Sequence, residues 1–471
     1  MTLKYIKISL AAVVLFTITS CSNDYLNLDP STSIPEEQVF SSFESANSAL
    51  IGAYDQLSGY TFDGLFVPIL SDIMGEDVMI NSVDNWNWFV AVYQLNVLPN
   101  YVFAESPWWL GYKVIADANK IIDNAPAIPD ATEEQKNQLL GGAKALRAYV
   151  MLKLVEMYAP AYSRNPEALS IMLVNKTLTA NDESLPRAPL SAVYEQIEKD
   201  LISAINLLED NDDKGFLDKR GAQAVLARAY LNTEQWEKAR NMAVDAYTGL
   251  DLVSGTELLS GFNYRNSETI FTIAYTPEDN NTYLSIPSFY YPVSGYSSMR
   301  ANNNFVDLFS TSDIRGYSFV LEPQIDPNRY LIVKFSHNQL VGNAERISIR
   351  ASEMYLIEAE CEANLNNYAE AQDALYTIQK RANPIARKST STGQALIDEI
   401  LLERRKELFG EGFRWNDIKR TQGRFTREGD HWVKFDIGPE DEDYYRLTFP
   451  IPQSELDANS NISESDQNTG Y

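Results

Sequence analysis

The sequence predicts a mainly α fold: a frame of tetratricopeptide-like helix pairs carrying loop-rich insertions and a few short strands. Three observations carry that prediction. Apolar residues recur at i, i+3 and i+4 over several long stretches, the period of a helix that buries one face. Two stretches share an aromatic-x-x-Ala spacing behind a run of small residues, Trp236 with Ala239 and Tyr368 with Ala371. Small residues at that spacing let the two helices of a hairpin approach closely. Between the two units lies a segment, about 250–345, that is poor in helical period and rich in Asn, Ser, Pro and Tyr.

The elements follow in order. Lys4 and Lys7 precede a short apolar core, Ile8 to Ile18, and then Thr19-Ser20-Cys21. That core is too short to span a bilayer, so residues 1–20 read as a signal peptide. A cysteine directly after it resembles the lipidation signal of bacterial lipoproteins, with Ile18 where Leu is usual, and marks Cys21 for acylation. Several acyl chains, each gaining about 0.8 kcal/mol per buried methylene, would hold the chain on a membrane. Residues 21–40 are polar, contain Pro30 and Pro35, and read as a lipidated, extended tether. From 41 to 471 the chain reads as one domain. Helical period covers Phe43–Leu57, Trp108–Ala125, Gln135–Tyr158 and Ser184–Leu208, with loop-rich insertions at about 60–105, 250–345 and 421–448. Within the second insertion, ETIFTIAY (268–275) and RYLIVKF (329–335) have the composition of short strands.

Composition excludes several functions. The formal charge of −26 argues against nucleic acid and against an anionic membrane surface, whose phosphates it would repel. His337 and His431 lie far apart, and Cys361 sits in the apolar helical stretch AECEA as a small buried hydrophobe, so no metal site is expected. The acidic run Glu440-Asp441-Glu442-Asp443 lacks the alternating spacing and turn glycine of a calcium loop and reads as solvated. No nucleophile elbow, zinc-protease helix or phosphate-cradling loop occurs, and no carboxylate pair is singled out, so neither an enzyme nor a cofactor is expected.

The aromatics are more telling: 27 Tyr and 7 Trp, many in polar loops. Flat apolar rings interleaved with carboxamides and carboxylates suit the C–H faces and hydroxyls of sugars. Two clusters fit. In SVDNWNWFVAVY (82–93), Trp86 and Trp88 alternate with Asn85 and Asn87 behind Asp84, and period-two spacing would put both indoles on one side of an extended segment. The second cluster, 280–304, holds Tyr283, Phe289, Tyr290, Tyr291, Tyr296 and Arg300 beside Asn280, Asn281 and Asn302. The candidate ligand-binding set is Asp84, Asn85, Trp86, Trp88, Tyr283, Tyr290, Tyr291, Tyr296 and Arg300. The competing reading is that these rings pack loops onto the frame or meet a partner protein.

The C-terminal third names a family. Ile400-x-x-Glu403-Arg404-Arg405-Lys406-Glu407-Leu408, then Glu411-Gly412-x-Arg414-x-x-Asp417-x-x-Arg420, resembles the signature of the SusD/RagB family. Phe449-Pro450-Ile451-Pro452 and the ending Gln467-Asn468-Thr469-Gly470-Tyr471 are similar to that family's terminus, with Thr469 where Pro is usual. Arg350-Ala351-x-Glu353-x-Tyr355-Leu356, Arg147-Ala148-Tyr149 and Asp313-x-Arg315 fall in the same order, so the resemblance spans the mature chain. It implies an outer-membrane nutrient-binding lipoprotein of Bacteroidetes-type bacteria, facing the cell exterior. Such a protein captures oligosaccharide and delivers it to a SusC-like TonB-dependent transporter without catalysis. A peptide-binding lid of the same transporter type and a periplasmic tetratricopeptide-type adaptor are the alternatives, and the signature does not say which cargo is taken. Within 401–420 the residues themselves suggest a structural joint: Ile397, Leu401 and Leu408 form an apolar stripe, and opposite charges three and four apart pair along the helix flanks.

Overall fold

The computed structural model describes residues 36–293, 295–321, 330–336 and 341–471. The signal segment, Cys21, almost all of the tether and His337 lie outside the described residues. In chain order the longer helices are α1 (Phe43–Ser58), α2 (Phe66–Met74), α3 (Val102–Asn124), α4 (Glu133–Tyr158), α5 (Leu190–Leu207), α6 (Lys219–Asn232), α7 (Trp236–Tyr247), α8 (Ala351–Asn364), α9 (Tyr368–Ala382), α10 (Gln394–Glu407) and α11 (Arg414–Arg420). The strands are short: β1 (Val78–Ile80), β2 (Leu169–Met172), β3 (Arg187–Pro189), β4 (Thr269–Ile273), β5 (Met299–Ala301), β6 (Phe319–Leu321), β7 (Tyr330–Ile332) and β8 (Arg346–Arg350). Among the described residues no helix is long and apolar enough to cross a membrane.

Helix α4 is the axis of the frame. Its first turn is closed by a capping box, in which Thr132 Oγ1 accepts from the Gln135 N–H and Gln135 Oε1 accepts from the Thr132 N–H, at 3.2 and 2.9 Å. Such a cap stabilises by about 1 kcal/mol. From Leu139 onward its circumference is almost wholly buried, including Leu146, Ala148, Tyr149 and Leu152, as expected of a helix surrounded by others. Glycines set the close approaches: a Cβ on Gly111 of α3 would lie 2.9 Å from Leu154, and one on Gly142 would lie 3.0 Å from Leu50 of α1. Helices α3 to α7 then pack each on the next, α7 packs directly on α8, and α8 packs on α9 and α10. The array is therefore continuous in space across the break between Tyr247 and Ala351. Strands β4 and β8 pair antiparallel at the base of the insertion, and β8 runs straight into α8. The insertion leaves the frame and returns to the adjoining slot.

Two boundaries differ from the sequence expectation. The stretch 60–105 is not all loop, because Phe66–Met74 is a helix buried along its whole length. Pro68 reads as a breaker in sequence but sits in the first turn, where no backbone bond is lost. Helix α3 likewise begins at Val102 and continues through Pro107 rather than starting after it.

The charged stretch 401–420 is a joint, but of a different kind from the one expected. Helix α10 buries Leu396 and Ile400 in its first half and Glu403, Arg404 and Glu407 in its second. Ile397 and Leu401 are only half-buried. Its charges pair mostly across elements, not along the helix. Glu407 takes Arg350 of β8 at 2.7 Å, Arg315 of the insertion at 2.9 Å, and Arg381 of α9. Arg350 also meets Glu411 at 2.8 Å, and Arg315 meets Glu403 at 2.7 Å. Arg404 and Arg420 share Asp417, each at 2.8 Å, and Arg420 reaches Glu360 of α8 at 2.6 Å. Arg405 and Arg414 reach back to Asp77 and Glu76 beside β1. Buried ions cost several kcal/mol each to desolvate, so such a cluster is stable only when every charge has opposite partners, as here.

Candidate functional site

The four-stranded sheet, in the order β1-β5-β7-β6, brings the two aromatic clusters together. Antiparallel pairing sets Val78, Met79 and Ile80 opposite Ala301, Arg300 and Met299. The pairing extends one step beyond the strands: the Asn81 N–H donates to the Ser298 carbonyl at 2.8 Å. The loop leaving β1 thus starts beside the loop entering β5.

The first loop is not extended. Asp84, Trp86, Asn87 and Phe89 all adopt left-handed backbone, with φ of +55°, +57°, +58° and +58°. Asp and Asn tolerate that region, but Trp and Phe pay about 1–2 kcal/mol each to enter it, which the surrounding packing must offset. Asn85 is the internal peg that makes the turns. Its Nδ2 donates to the Asn81 carbonyl at 2.8 Å, and its Oδ1 accepts from the Asn87 N–H at 2.8 Å. The Asn85 carboxamide is thereby turned inward, contrary to its expected role on a ligand. Both indoles still face the same neighbour, through tight turns rather than through a strand's alternation.

The second loop carries the short helix Ile286–Tyr290 and doubles back at Gly295. Gly295 has φ of +59°, and a Cβ there would lie 1.9 Å from Ser288 Oγ, so only glycine fits. The ring edge of Tyr283 also lies against it. The Tyr296 N–H donates to Ser288 Oγ at 3.2 Å and the Ser297 N–H to the Ser288 carbonyl at 2.8 Å. These bonds fix Tyr296 over Phe289, stacked at 4.8 Å and 20°.

Trp86 and Trp88 meet Tyr296 edge-on at 6.1 and 6.0 Å. Below, Trp88 contacts Phe289 at 5.9 Å and Phe89 at 5.6 Å, and Phe89 packs on Phe66 at 5.7 Å. The result is an aromatic platform rooted in the core. Trp86 is 68% exposed and Tyr283 59%, whereas Trp88 and Tyr296 are half-buried. Val83 and Val293 are exposed beside them, and Asp84 and Asn87 offer polar groups at the rim. Rings held this rigidly present an apolar face with little entropy left to lose on binding.

The remaining candidates sit elsewhere. Tyr290 is fully buried and its hydroxyl donates to Asp72 at 3.1 Å, so it braces the loop from beneath and does not present its ring to solvent. Burial raises the Asp72 carboxyl to about 8, against the opposing pull of Tyr290, the Gly412 N–H and Lys334. Arg300 is only 5% exposed, and its Nη1 donates to the Ser297 and Met299 carbonyls, each at 2.8 Å. Tyr291 is half-buried at the end of the short helix. Asn302 is buried, donating to Asp430 at 2.9 Å.

Trp432, outside the candidate set, adds a further exposed aromatic to the same region. Its indole N–H donates to the Ile80 carbonyl at 2.6 Å at the root of the first loop, and its ring lies 5.0 Å from Tyr93. The signal was present in GDHWVKF, an aromatic within a polar loop. Its neighbour His431 is buried between Tyr93 and the Glu76 carbonyl, and burial lowers its pKa to about 4, so the ring stays neutral near pH 7.

Comparison with known proteins converges on one group. A family model described as the SusD family matches residues 326–471, and a second, described as starch-binding associating with outer membrane, matches residues 24–231. SusD-like protein P25 of Formosa agariphila is 23% identical, covering 99% of this chain and 100% of its own length. A SusD-like protein of Bacteroides ovatus is also 23% identical, over 88% of this chain and 82% of its own. Among solved structures, a SusD superfamily protein of Bacteroides thetaiotaomicron superposes with a TM-score of 0.81 at 25% identity, over 91% of this chain and 99% of that one. A SusD-like carbohydrate binding protein of Bacteroides vulgatus gives 0.81 at 26% identity, over 90% and 98%.

Proposed function

The chain belongs to the SusD family, and on that premise we propose that it captures oligosaccharide at the outer membrane and hands it to a SusC-like TonB-dependent transporter. It does so as a non-catalytic lipoprotein, anchored through acylated Cys21 and facing the cell exterior. The observation that carries this reading is the aromatic platform on two loops, in which exposed Trp86 and Tyr283 stand beside half-buried Trp88 and Tyr296, the latter pair rooted in the core. The starch-binding description of one matching family model and the carbohydrate-binding name of a relative support the choice of cargo.

In this reading a pyranose ring lies with its C–H face on Trp86 and its edge against Tyr296, Tyr283 takes a neighbouring ring, and Asp84 accepts from hydroxyls. Tyr290, Tyr291, Arg300 and Asn85 hold the loops that present these groups. Binding is shallow and of modest affinity, which suits a lid that must release its cargo.

The test is titration of the protein and of a Trp86→Ala/Tyr296→Ala variant against a panel of oligosaccharides. Each lost ring contact removes about 0.5–1.5 kcal/mol, so the pair weakens the cognate sugar by about 5- to 150-fold. Because Trp86 is mostly exposed, its own truncation leaves thermal stability nearly unchanged. Undiminished binding in the double variant would refute the site.

A further inference from the structure

Basic residues are distributed in a way that bears on cargo. No Lys, Arg or His occurs between Lys7 and Lys113, and none occurs between Arg265 and Arg300. Both platform loops lie inside these gaps, as do α1, α2 and β1 beneath them. Acids are not missing from the same surface. Asp84 is exposed two residues from Trp86, and Glu278 and Asp279 are exposed on the approach to Tyr283. Asp55 stands beside Asp279, and burial, together with that neighbouring charge, raises its pKa. Arg300, at the edge of the second gap, is buried and turned onto backbone carbonyls.

Resting on the saccharide reading above, we infer that the platform takes uncharged saccharides and turns away those bearing uronate or sulfate groups. Anionic sugars are held by guanidinium or ammonium groups that replace the water stripped from the charge. The two loops carry no such side chain at their exposed surface. A carboxylate or sulfate on a ring stacked over Trp86 would lie at a separation from Asp84 comparable with the screening length of about 8 Å in physiological salt. It would lose hydration and face a like charge. Hydroxyls meet neither cost. The gaps therefore act as a filter on charge, while the aromatic rings supply the grip.

The experiment is isothermal titration of the full-length protein in detergent with two sets of probes. One set is neutral hexasaccharides of gluco, xylo, manno and galacto configuration; the other is hexagalacturonate, an alginate hexamer and a sulfated galactan hexamer. Each is measured at about 20 and 200 mM NaCl. The expected result is at least one neutral binder about tenfold tighter than any anionic probe, with an affinity that changes less than about twofold with salt. Asp84→Lys shifts the anionic-to-neutral affinity ratio upward by about threefold or more. An anionic probe that binds more tightly than the neutral set and weakens with salt overturns the inference alone. A cation outside the two gaps, such as the exposed Lys434, would then carry the recognition, and Lys434→Gln would abolish it. Failure of every probe to bind overturns the saccharide reading as well, so the two failures are told apart.

Discussion

Replacing Glu407 with Gln removes one charge from the buried joint while keeping the volume of the side chain. Glu407 serves three arginines at once: Arg350 at 2.7 Å, Arg315 at 2.9 Å, and Arg381. After the change Arg350 keeps Glu411 at 2.8 Å, and Arg315 keeps Asp313 at 2.8 Å and Glu403 at 2.7 Å. Arg381 is left with Glu268 at 3.5 Å, so it bears most of the loss. Removing one partner of a buried pair costs about 3–5 kcal/mol, and the surviving partners of Arg350 and Arg315 place the expected loss near the lower bound, about 3 kcal/mol. Equilibrium urea denaturation reads it as a lowered midpoint at unchanged slope. Adding Arg381→Met to Glu407→Gln removes the orphaned charge and should recover part of the loss, a coupling visible in a double-mutant cycle. The joint also has a pH signature. Burial alone would raise the Glu407 carboxyl, but Arg381, Arg350 and Arg315 reverse that and hold it well below the usual carboxylate range. Its stabilisation is thus fully present above the unfolded value of about 4.3 and is lost only as pH falls through the depressed folded value. A Glu407→Gln loss under about 0.5 kcal/mol would refute the reasoning, because that is the worth of an exposed ion pair.

Other substitutions report on the platform and on the anchor. Asp72 has a carboxyl raised to about 8, so its contribution is present at low pH and fades as pH rises toward that value; Asp72→Asn should flatten the corresponding slope in denaturation midpoints between about pH 6 and 8.5, and an unchanged slope would discard the assignment. Gly295→Ala forces a side chain into left-handed backbone and into Ser288, so thermal unfolding should show a loss of about 1–2 kcal/mol and titration a weaker saccharide. Cys21→Ser should move the protein from the membrane to the soluble fraction; on intact cells the unmutated protein should be cut by added protease, and full protection there would contradict a surface position.

Much of the frame was legible because its signals are local. The Ala-rich helices α6 to α9 and the long α4 follow from periodicity and caps that lie within a few residues of one another. The two aromatic loops could be singled out by composition alone, and β1 and β5 brought Trp86, Trp88 and Tyr296 into contact. The orientation of individual rings was not legible. In SFYYP three aromatics stand in a row, and partners distant in sequence, Asp72 and Phe335, hold Tyr290 inward. The left-handed run from Asp84 to Phe89 was hidden for a related reason, since the alternation of Trp with Asn has the period of a strand. In 401–420 the spacing suggested pairing along the helix, whereas Glu407 and Arg405 answer to Arg350 and Asp77, remote in sequence. Partners set by topology leave no trace in local spacing.

The packing of α7 directly on α8 has a consequence for how the chain can change over time. Closing a loop of flexible chain costs free energy that grows only with the logarithm of its length, about 0.6 kcal/mol per doubling. The segment between Tyr247 and Ala351 is closed at its base by β4 and β8, so lengthening its exposed loops costs the frame little while Arg315, Lys334 and Arg350 keep their places in the buried joint. The first platform loop is likewise pinned at its root, through Asn81 to Ser298. Added length at the exposed tips of the two aromatic loops is thereby decoupled from the stability of the helices, whereas the rings that root them are not. The debt falls on kinetics instead: the small-residue face of α7 stays bare during synthesis until α8 arrives, which makes that interval the stage most exposed to misassembly.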